Sequence, residues 1–524
     1  MSLKERHEPG LRLRAVSHGK PGETLILPDD TYNRSLVENV HPSTWVNPRP
    51  TGRYNLVVLG AGTAGLVSAV GAAGLGAKVA IVEKHLMGGD CLNFGCVPSK
   101  GLLRAARAVH AVRTAEAFGV RAAGLASFDF GAAMERMRRL RAAISQNDSA
   151  HRLAGLGIDV FIGQARFVAS DAVEVDGQRL RFSRAVIATG ARPATLAVPG
   201  LAETGFLTNE TVFSLTVLPR RLLVIGAGPI GCELAQAFRR FGSEVSMVSL
   251  DPRLLPREDP EAAAILSSQF EREGIRMALG AEIRRVERRG EEKVVIYQKG
   301  RAHQEVAGDE ILVAVGRAPN IEGLNLEAAG VEFNRMGVKV DDRLRSTNRR
   351  VYAAGDVSSL YKFTHAADAM ARVALQNALF FGRKRASALV IPWCTYVDPE
   401  VAHVGLYEKE AQKRGFDVST FTVPLREVDR AVLDGDEEGF ARVHADRKSG
   451  RILGATLVAP HAGEMIAEMS LAITTGLSLG SVAKTIHPYP TQVEVWKRLG
   501  DAWNRTRLTP RVNGFLRRYL SWRR

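Results

Sequence analysis

The chain has 524 residues, 45% hydrophobic and 24% charged, with four cysteines and a net charge of +15. That length exceeds one core and calls for about three domains; four cysteines exclude a secreted disulfide scaffold. No run approaches the roughly 18 apolar residues of a membrane span, and the polar start lacks a secretory signal core. Between Val495 and Arg524, nine Lys or Arg face one Asp, a net of +8, so the body is only mildly basic and a nucleic-acid-binding body is excluded.

Residues 1–53 read as an N-terminal extension. His41 to Pro50 holds three prolines and no clear period, which suits an arm ordered on contact or a linker, and a surface-packed arm without chemistry is expected. Tyr54–Leu59 is a buried strand by composition. Gly60-Ala61-Gly62-Thr63-Ala64-Gly65 follows, then an Ala/Val/Leu-rich helix and a second strand, Lys78–Glu83, ending in an acid. Glycines at that spacing between strand and helix, with an acid about 20 residues on, form a dinucleotide-binding fingerprint. Gly60, Gly62 and Gly65 permit a tight turn and close approach of a pyrophosphate, and Glu83 accepts from a ribose hydroxyl.

Next comes Gly88-Gly89-Asp90-Cys91-Leu92-Asn93-Phe94-Gly95-Cys96-Val97-Pro98-Ser99-Lys100, in which four residues separate two cysteines. A thiol pair beside a bound dinucleotide points to electron transfer through a disulfide. With so few cysteines, a reactive pair in a reducing cytoplasm is expected rather than a structural bridge. A helix opens at Val97-Pro98-Ser99. From Lys100 to about Leu156 the pattern is of long helices with solvated basic faces, and Arg138, Arg139 and Arg141 are expected there. Short strands run from Asp159 to about Phe182. A buried strand from Arg184 then enters a turn at Gly190.

A second fingerprint spans Arg221–Ile225, Gly226-Ala227-Gly228-Pro229-Ile230-Gly231 and Glu244–Ser249. Gly60 plus 23 lands on Glu83, whereas Gly226 plus 23 lands on Ser249. The second site lacks the acid that selects a free 2′-hydroxyl, and Arg253 or Arg257 could reach a 2′-phosphate. Gly231 as third glycine is the form more often associated with NAD, so NADH and NADPH both stay open. Ile311–Asn320, around Gly316, closes this region. Val351–Val357 presents Asp356, able to bond a sugar-like hydroxyl chain. Thr364 begins a helix whose N-terminal amides could face a developing anion. From about Ile391 short strands alternate with helices, an α+β texture ending at His487-Pro488-Tyr489-Pro490-Thr491-Gln492-Val493-Glu494. Cys232 and Cys394 read as small core residues.

These residues resemble a family: the class I flavoprotein disulfide reductases (pyridine nucleotide-disulfide oxidoreductases), over roughly Tyr54 to Val495. The resemblance implies an α/β fold with two Rossmann-like dinucleotide-binding domains, as in glutathione reductase, and a C-terminal α+β dimerisation domain. The implied division is 1–53 extension, 54–200 FAD-binding, 201–320 NAD(P)-binding, 321–390 FAD-binding again, 391–500 interface and 501–524 tail. It implies FAD at Gly60, Gly62, Gly65, Glu83, Gly190, Asp356 and Thr364. NADH or NADPH falls at Gly226, Gly228, Gly231, Ser249, Arg253 and Gly316, and the assembly is a homodimer. Cys96 takes the place of the flavin-proximal thiol, Cys91 the interchange thiol, Lys100 the lysine near the flavin and Glu233 its partner.

One position departs. Disulfide-reducing members carry a histidine immediately before the proline-threonine pair, supplied by the partner subunit as proton shuttle; here that position is Tyr489. A phenol titrates near 10, a poor base at neutral pH. His487 could substitute only through a rearranged loop and otherwise reads as a surface histidine. Tyr489 resembles the tyrosine of mercuric reductases, but this chain has neither an N-terminal metal-binding CxxC domain nor tail cysteines, and no structural metal is expected. The expected activity is electron passage from NAD(P)H through flavin and Cys91–Cys96 to a metal ion, which those two sulfurs would contact, or another small acceptor. The alternatives are a dihydrolipoamide- or glutathione-type disulfide reductase, a membrane-peripheral quinone reductase and a flavin-bound redox sensor. The tail bears on the quinone reductase: Val512, Phe515, Leu516, Tyr519 and Leu520 share a helical face among Arg511, Arg517, Arg518, Arg523 and Arg524. That pattern suits an anionic inner-membrane surface for residues 508–524, or packing on the dimer, where Gly514 would weaken a free helix.

Overall fold

The computed structural model describes residues 26–121 and 128–524. Its first sheet is built on Arg53–Leu59, whose run Leu56–Leu59 is buried on both faces, as a central parallel strand requires. Val79–Glu83 pairs in parallel on one side and Gln178–Ile187 on the other. Asp159–Ile162 extends the sheet beyond Val79–Glu83. Far along the chain, Val351–Ala353 also pairs in parallel with Gln178–Ile187. The segment bearing Asp356 therefore returns to the sheet that bears Gly60.

A second parallel sheet lies between these two passes, ordered Arg276–Leu279, Glu244–Ser249, Arg221–Ile225, Glu310–Val313. The helix Pro229–Phe241 follows its central strand, with Pro229 at a position where no amide is needed and Gly242 past the end. Chain entry and exit are stitched by Ala191–Pro193 against Arg317–Pro319, antiparallel. The C-terminal unit is a five-stranded antiparallel sheet, Pro392–Thr395, Glu400–Gly405, Ile452–Ala459, Phe440–Asp446 and Val418–Pro424. The helix Ala462–Thr475 covers it, and Trp496 and Leu499 of the helix Val495–Thr506 are fully buried in its core. One subunit leaves Leu433, Leu471, Ile486 and Tyr489 of this unit exposed.

Three stretches bear on the expectations. Residues 26–53 pack on the first domain, as an arm ordered on contact does, and open with a helix that the proline run did not announce; residues 1–25 lie outside the described residues. Asp30 caps the helix Thr31–Val40 by accepting from Asn33 N at 2.8 Å, and Leu36 and Val40 are fully buried. Trp45 Nε1 donates to Val160 O and Asn47 Nδ2 to Ile162 O, so the proline segment lies along an edge strand. Arg138 and Arg141 are buried, not solvated. Arg141 donates to Asn93 O and Asn33 Oδ1, both at 2.7 Å, and Arg138 pairs with Asp30. Their positions in the helix Phe130–Ser145 face the N-terminal helix rather than water. Finally, the tail helix Pro510–Trp522 runs through Gly514, capped by Thr509, with every residue exposed. Among the described residues no helix is long and apolar enough to cross a membrane.

Candidate active site

The first glycine loop is held by contacts no side chain would allow. A Cβ on Gly65 would lie 1.8 Å from Gly60 O, and one on Gly231 2.5 Å from Gly226 O, so each helix sits directly on its strand. Gly89 has a φ of +59°, and a Cβ there would stand 2.6 Å from Gly62 Cα. The loop Gly60–Gly65 and the cysteine segment thus meet backbone to backbone. Glu83 accepts from Ala61 N at 2.7 Å and His85 N at 2.8 Å. Burial pushes its carboxyl up, and those two amides partly offset this. Gly60, Glu83, Gly163, Thr189 and Asn320 line a cavity at this end. Gly190 O accepts from Asn320 N at 3.0 Å and Gly316 O from Ala194 N at 2.9 Å, which ties the two crossover strands together.

This cradle would fit FAD: Gly62 caps the start of the helix Thr63–Gly74 with no side chain in the way of a pyrophosphate, and Glu83 keeps lone pairs for a ribose. Asp356, mostly buried, is pushed up by burial and drawn back by Arg317, whose Nε lies 3.6 Å from Asp356 Oδ2. Lys362 Nζ bonds the Asp356 carbonyl. Both placements suit a polyol chain.

The cysteines lie at two helix starts. Cys91 belongs to the short helix Gly89–Asn93, and Cys96 is the first residue of the helix Cys96–Arg113. Both are free thiols, Cys96 the more exposed. Cys96 Sγ lies 3.5 Å from Thr364 Oγ1, at the start of the helix Thr364–Leu379. The hydrogen bond from Cys91, with help from Lys100, pulls the Cys96 thiol down to about 6 and outweighs its partial desolvation. The same bond and burial push Cys91 up. The pair therefore divides into a thiolate at Cys96, supported by its own helix N-terminus, and a thiol at Cys91.

Lys100 Nζ lies 2.9 Å from Glu233 Oε2 and 4.6 Å from the centre of the Tyr396 ring, and Tyr396 N donates to Glu233 Oε1 at 2.9 Å. Burial works against the Lys100 charge, but Glu233 outweighs it and holds the ammonium above its ordinary range.

At the second fingerprint, Ser249 is buried and its Oγ accepts from Asp251 N at 3.1 Å. Arg253 is turned inward, donating to Pro256 O at 2.8 Å and Glu258 O at 3.3 Å; Arg257 is exposed. Asp251 is the acid that the 23-residue spacing passed over, two positions beyond Ser249. Cys232 is fully buried, and Cys394 is half-buried beside Glu400.

Tyr489 is exposed and donates from its hydroxyl to Asp429 Oδ2 at 3.0 Å, which raises the phenol further. His487 is not a surface histidine: its side chain is 5% exposed, Nε2 lies 3.1 Å from Glu468 Oε2, and Nδ1 lies 3.2 Å from Thr485 O. Glu468, in the preceding helix Ala462–Thr475, draws the ring into its own subunit.

Two glycine-loop Rossmann folds, a dithiol packed against the first and an antiparallel third unit define a flavin-dithiol oxidoreductase. The pyridine nucleotide-disulphide oxidoreductase model matches residues 54–371, and its dimerisation domain matches 391–499. The chain belongs to this family. It is a homodimeric, NAD(P)H-dependent FAD oxidoreductase with a redox-active dithiol. It is 35% identical to mercuric reductase from Bacillus cereus, over 84% of this chain and 70% of that protein. It is 37% identical to dihydrolipoyl dehydrogenase from Thermus scotoductus, over 84% and 95%. Among solved structures, the Cu(II) complex of the HOCl-induced flavoprotein disulfide reductase RclA (C43S mutant) from Escherichia coli superposes with a TM-score of 0.77. Its identity is 28%, over 86% of this chain and 99% of that one.

FAD held in this cradle would supply the two-electron chemistry that links a nicotinamide hydride to the sulfur pair. The chain's own residues do the rest. Glu233 keeps Lys100 charged one helical turn beyond Cys96, Cys96 carries the thiolate, and Cys91 keeps its proton.

Proposed function

We propose that the enzyme delivers its electrons to a soft metal ion rather than to a disulfide substrate. The observation that carries this reading is the interface loop. Reducing a disulfide releases a thiolate that needs a proton, and a shuttle must titrate near neutrality. Tyr489 does not, and His487 is turned to Glu468. Release of a metal from two sulfurs needs no such shuttle, and a thiolate–thiol pair is a soft ligand set. The likeness to mercuric reductases and to a reductase solved with Cu(II) supports this reading.

An acceptor panel tests it: Hg(II), Cu(II), lipoamide, oxidised glutathione and quinones, each with NADH and NADPH. The expected result is metal-dependent NAD(P)H oxidation, lost about 100-fold or more in Cys91→Ser. Faster turnover of lipoamide or glutathione than of either metal overturns the reading, and so does full metal activity in Cys91→Ser.

We also infer that the tail docks on an anionic bilayer. Its helix Pro510–Trp522 presents Val512, Phe515, Leu516, Tyr519 and Leu520 exposed, with five arginines and no acid from residue 510 onward. Residues 508–524 carry +5 of the +15, so the rest of the chain is itself +10 and a second copy offers no opposite net charge. Co-sedimentation with phosphatidylserine-containing vesicles is expected to fall on deletion of 508–524. Equal binding by the deleted protein, or binding to neutral vesicles alone, rejects this.

A further inference from the structure

Asp90 immediately precedes Cys91, and its carboxylate is held from two sides. Oδ2 lies 3.2 Å from Arg317 Nη1, and Oδ1 accepts from Asn209 Nδ2 at 3.0 Å. The same Asn209 amide donates to Phe94 O at 3.2 Å, so one buried side chain ties both ends of the turn between the cysteines. Gly95 makes room for this: a Cβ there would stand 2.9 Å from Asp90 Oδ2. Arg317 is itself fixed. Its side chain is 11% exposed, and Nη2 donates to Ala191 O at 2.6 Å.

We propose that Arg317 and Asn209 are positioning residues for the dithiol: they clamp Asp90, fix the turn from Asp90 to Gly95, and neutralise a negative charge beside the sulfur pair. Two-electron reduction breaks the S–S bond, takes up two electrons and one proton, and leaves one thiol and one thiolate. The electrons come from NAD(P)H through the flavin. A bare carboxylate next to the pair opposes the new negative charge, and a loosened turn lets the sulfurs drift apart. Asp90 is indeed among the charges that push the Cys91 thiol up. The inference concerns the sulfur pair itself and holds whatever the final acceptor is.

The holoenzyme is equilibrated in dithiothreitol redox buffers at one pH, quenched with iodoacetamide, and the alkylated fraction of Cys91 and Cys96 is read by mass spectrometry. Asn209→Ala and Arg317→Gln are each expected to shift the equilibrium about three- to tenfold toward the disulfide, at most ~30 mV for two electrons. Adding Asp90→Asn to either is expected to return it to within about twofold of wild type. A merely structural role for these side chains would not give that rescue. Asn209 bonds Asp90 and Phe94, whereas Arg317 also pairs with Asp356, so Asn209→Ala carries the test if Arg317→Gln does not fold. Unchanged equilibria in the single variants, or no restoration by Asp90→Asn, overturn the proposal.

Discussion

Lys100 Nζ stands 2.9 Å and 3.2 Å from the two carboxylate oxygens of Glu233, joining the helix that begins at Cys96 to the helix of the second glycine loop. This contact couples the helix of the dithiol to the helix of the second glycine loop. Glu233→Gln keeps the shape and removes the charge. A charge-assisted bond is worth about 1.5–3 kcal/mol, so flavin reduction by NAD(P)H is expected to slow by roughly ten- to hundredfold. Rapid mixing with NADH and NADPH reads this directly. An unchanged reduction rate would leave the pair a purely structural link.

The Cys96 thiol, drawn down to about 6, sets a pH dependence with a definite sign. An ordinary thiol titrates near 8.5. The folded value is depressed, so the thiolate contributes stability to the reduced protein above the ordinary range. That contribution is lost as pH falls through about 6. Urea unfolding of the reduced enzyme at pH 5 and pH 9 is the measurement. Wild type is expected to lose more stability toward acid than Cys96→Ser does. Equal losses would contradict the depressed thiol.

The legible parts of this protein were those written in neighbouring residues. Each glycine loop, the Cys91–Cys96 spacing and the Thr364 helix start require only local geometry, and the matched family bears the architecture out. Contacts made across the chain left no local signal. Arg317 meets Asp90 and Asn209 meets Phe94 only because the crossover strands bring those segments together. Arg138 and Arg141 looked like a solvated face because their partners, Asp30 and Asn33, sit at the N-terminal helix, far off in sequence, and nothing local announces that contact. His487 was read from its neighbours in sequence, and Glu468, one helix earlier, decides where it points.

Arg141 offers a test of that N-terminal brace. Its guanidinium is 1% exposed and bonds Asn33 from one side and the Asn93 carbonyl, next to the dithiol, from the other. Arg141→Met leaves the Asn93 carbonyl and the Asn33 side chain without their donor and is expected to cost about 2–4 kcal/mol. Chemical denaturation gives the loss. Limited proteolysis is expected to begin between residues 26 and 50, where wild type resists. A variant as stable as wild type would mean the helix Thr31–Val40 holds by its apolar contacts alone.

The dimer face can be addressed from one subunit. Ile486 is 92% exposed and Leu471 62% exposed in a single chain, both in the unit matched by the dimerisation model. Fully burying such a side chain contributes about 1.5–3 kcal/mol, and a carboxylate there must be desolvated instead. Leu471→Asp with Ile486→Asp is therefore expected to give monomers by light scattering while the subunit's circular dichroism is unchanged. A variant that stays dimeric would place the interface elsewhere on this unit.

Tyr489 is the position at which acceptor choice is expected to turn. Its side chain is exposed, and its hydroxyl leans on Asp429, an acid that keeps the phenol protonated. Tyr489→His puts an imidazole at the place where disulfide-reducing relatives carry one. Being exposed, the change is expected to alter stability by less than about 0.5 kcal/mol. It is expected to raise lipoamide or glutathione reduction by roughly 10²-fold, the scale of general acid–base assistance, and to leave the rate of flavin reduction by NAD(P)H alone. Tyr489→Phe separates the phenol from its mere bulk, since it loses only the bond to Asp429. If Tyr489→His gains nothing with any disulfide while flavin reduction stays intact, the block lies elsewhere. The orientation of His487 toward Glu468 would then be the next contact to break, with Glu468→Gln in the same background.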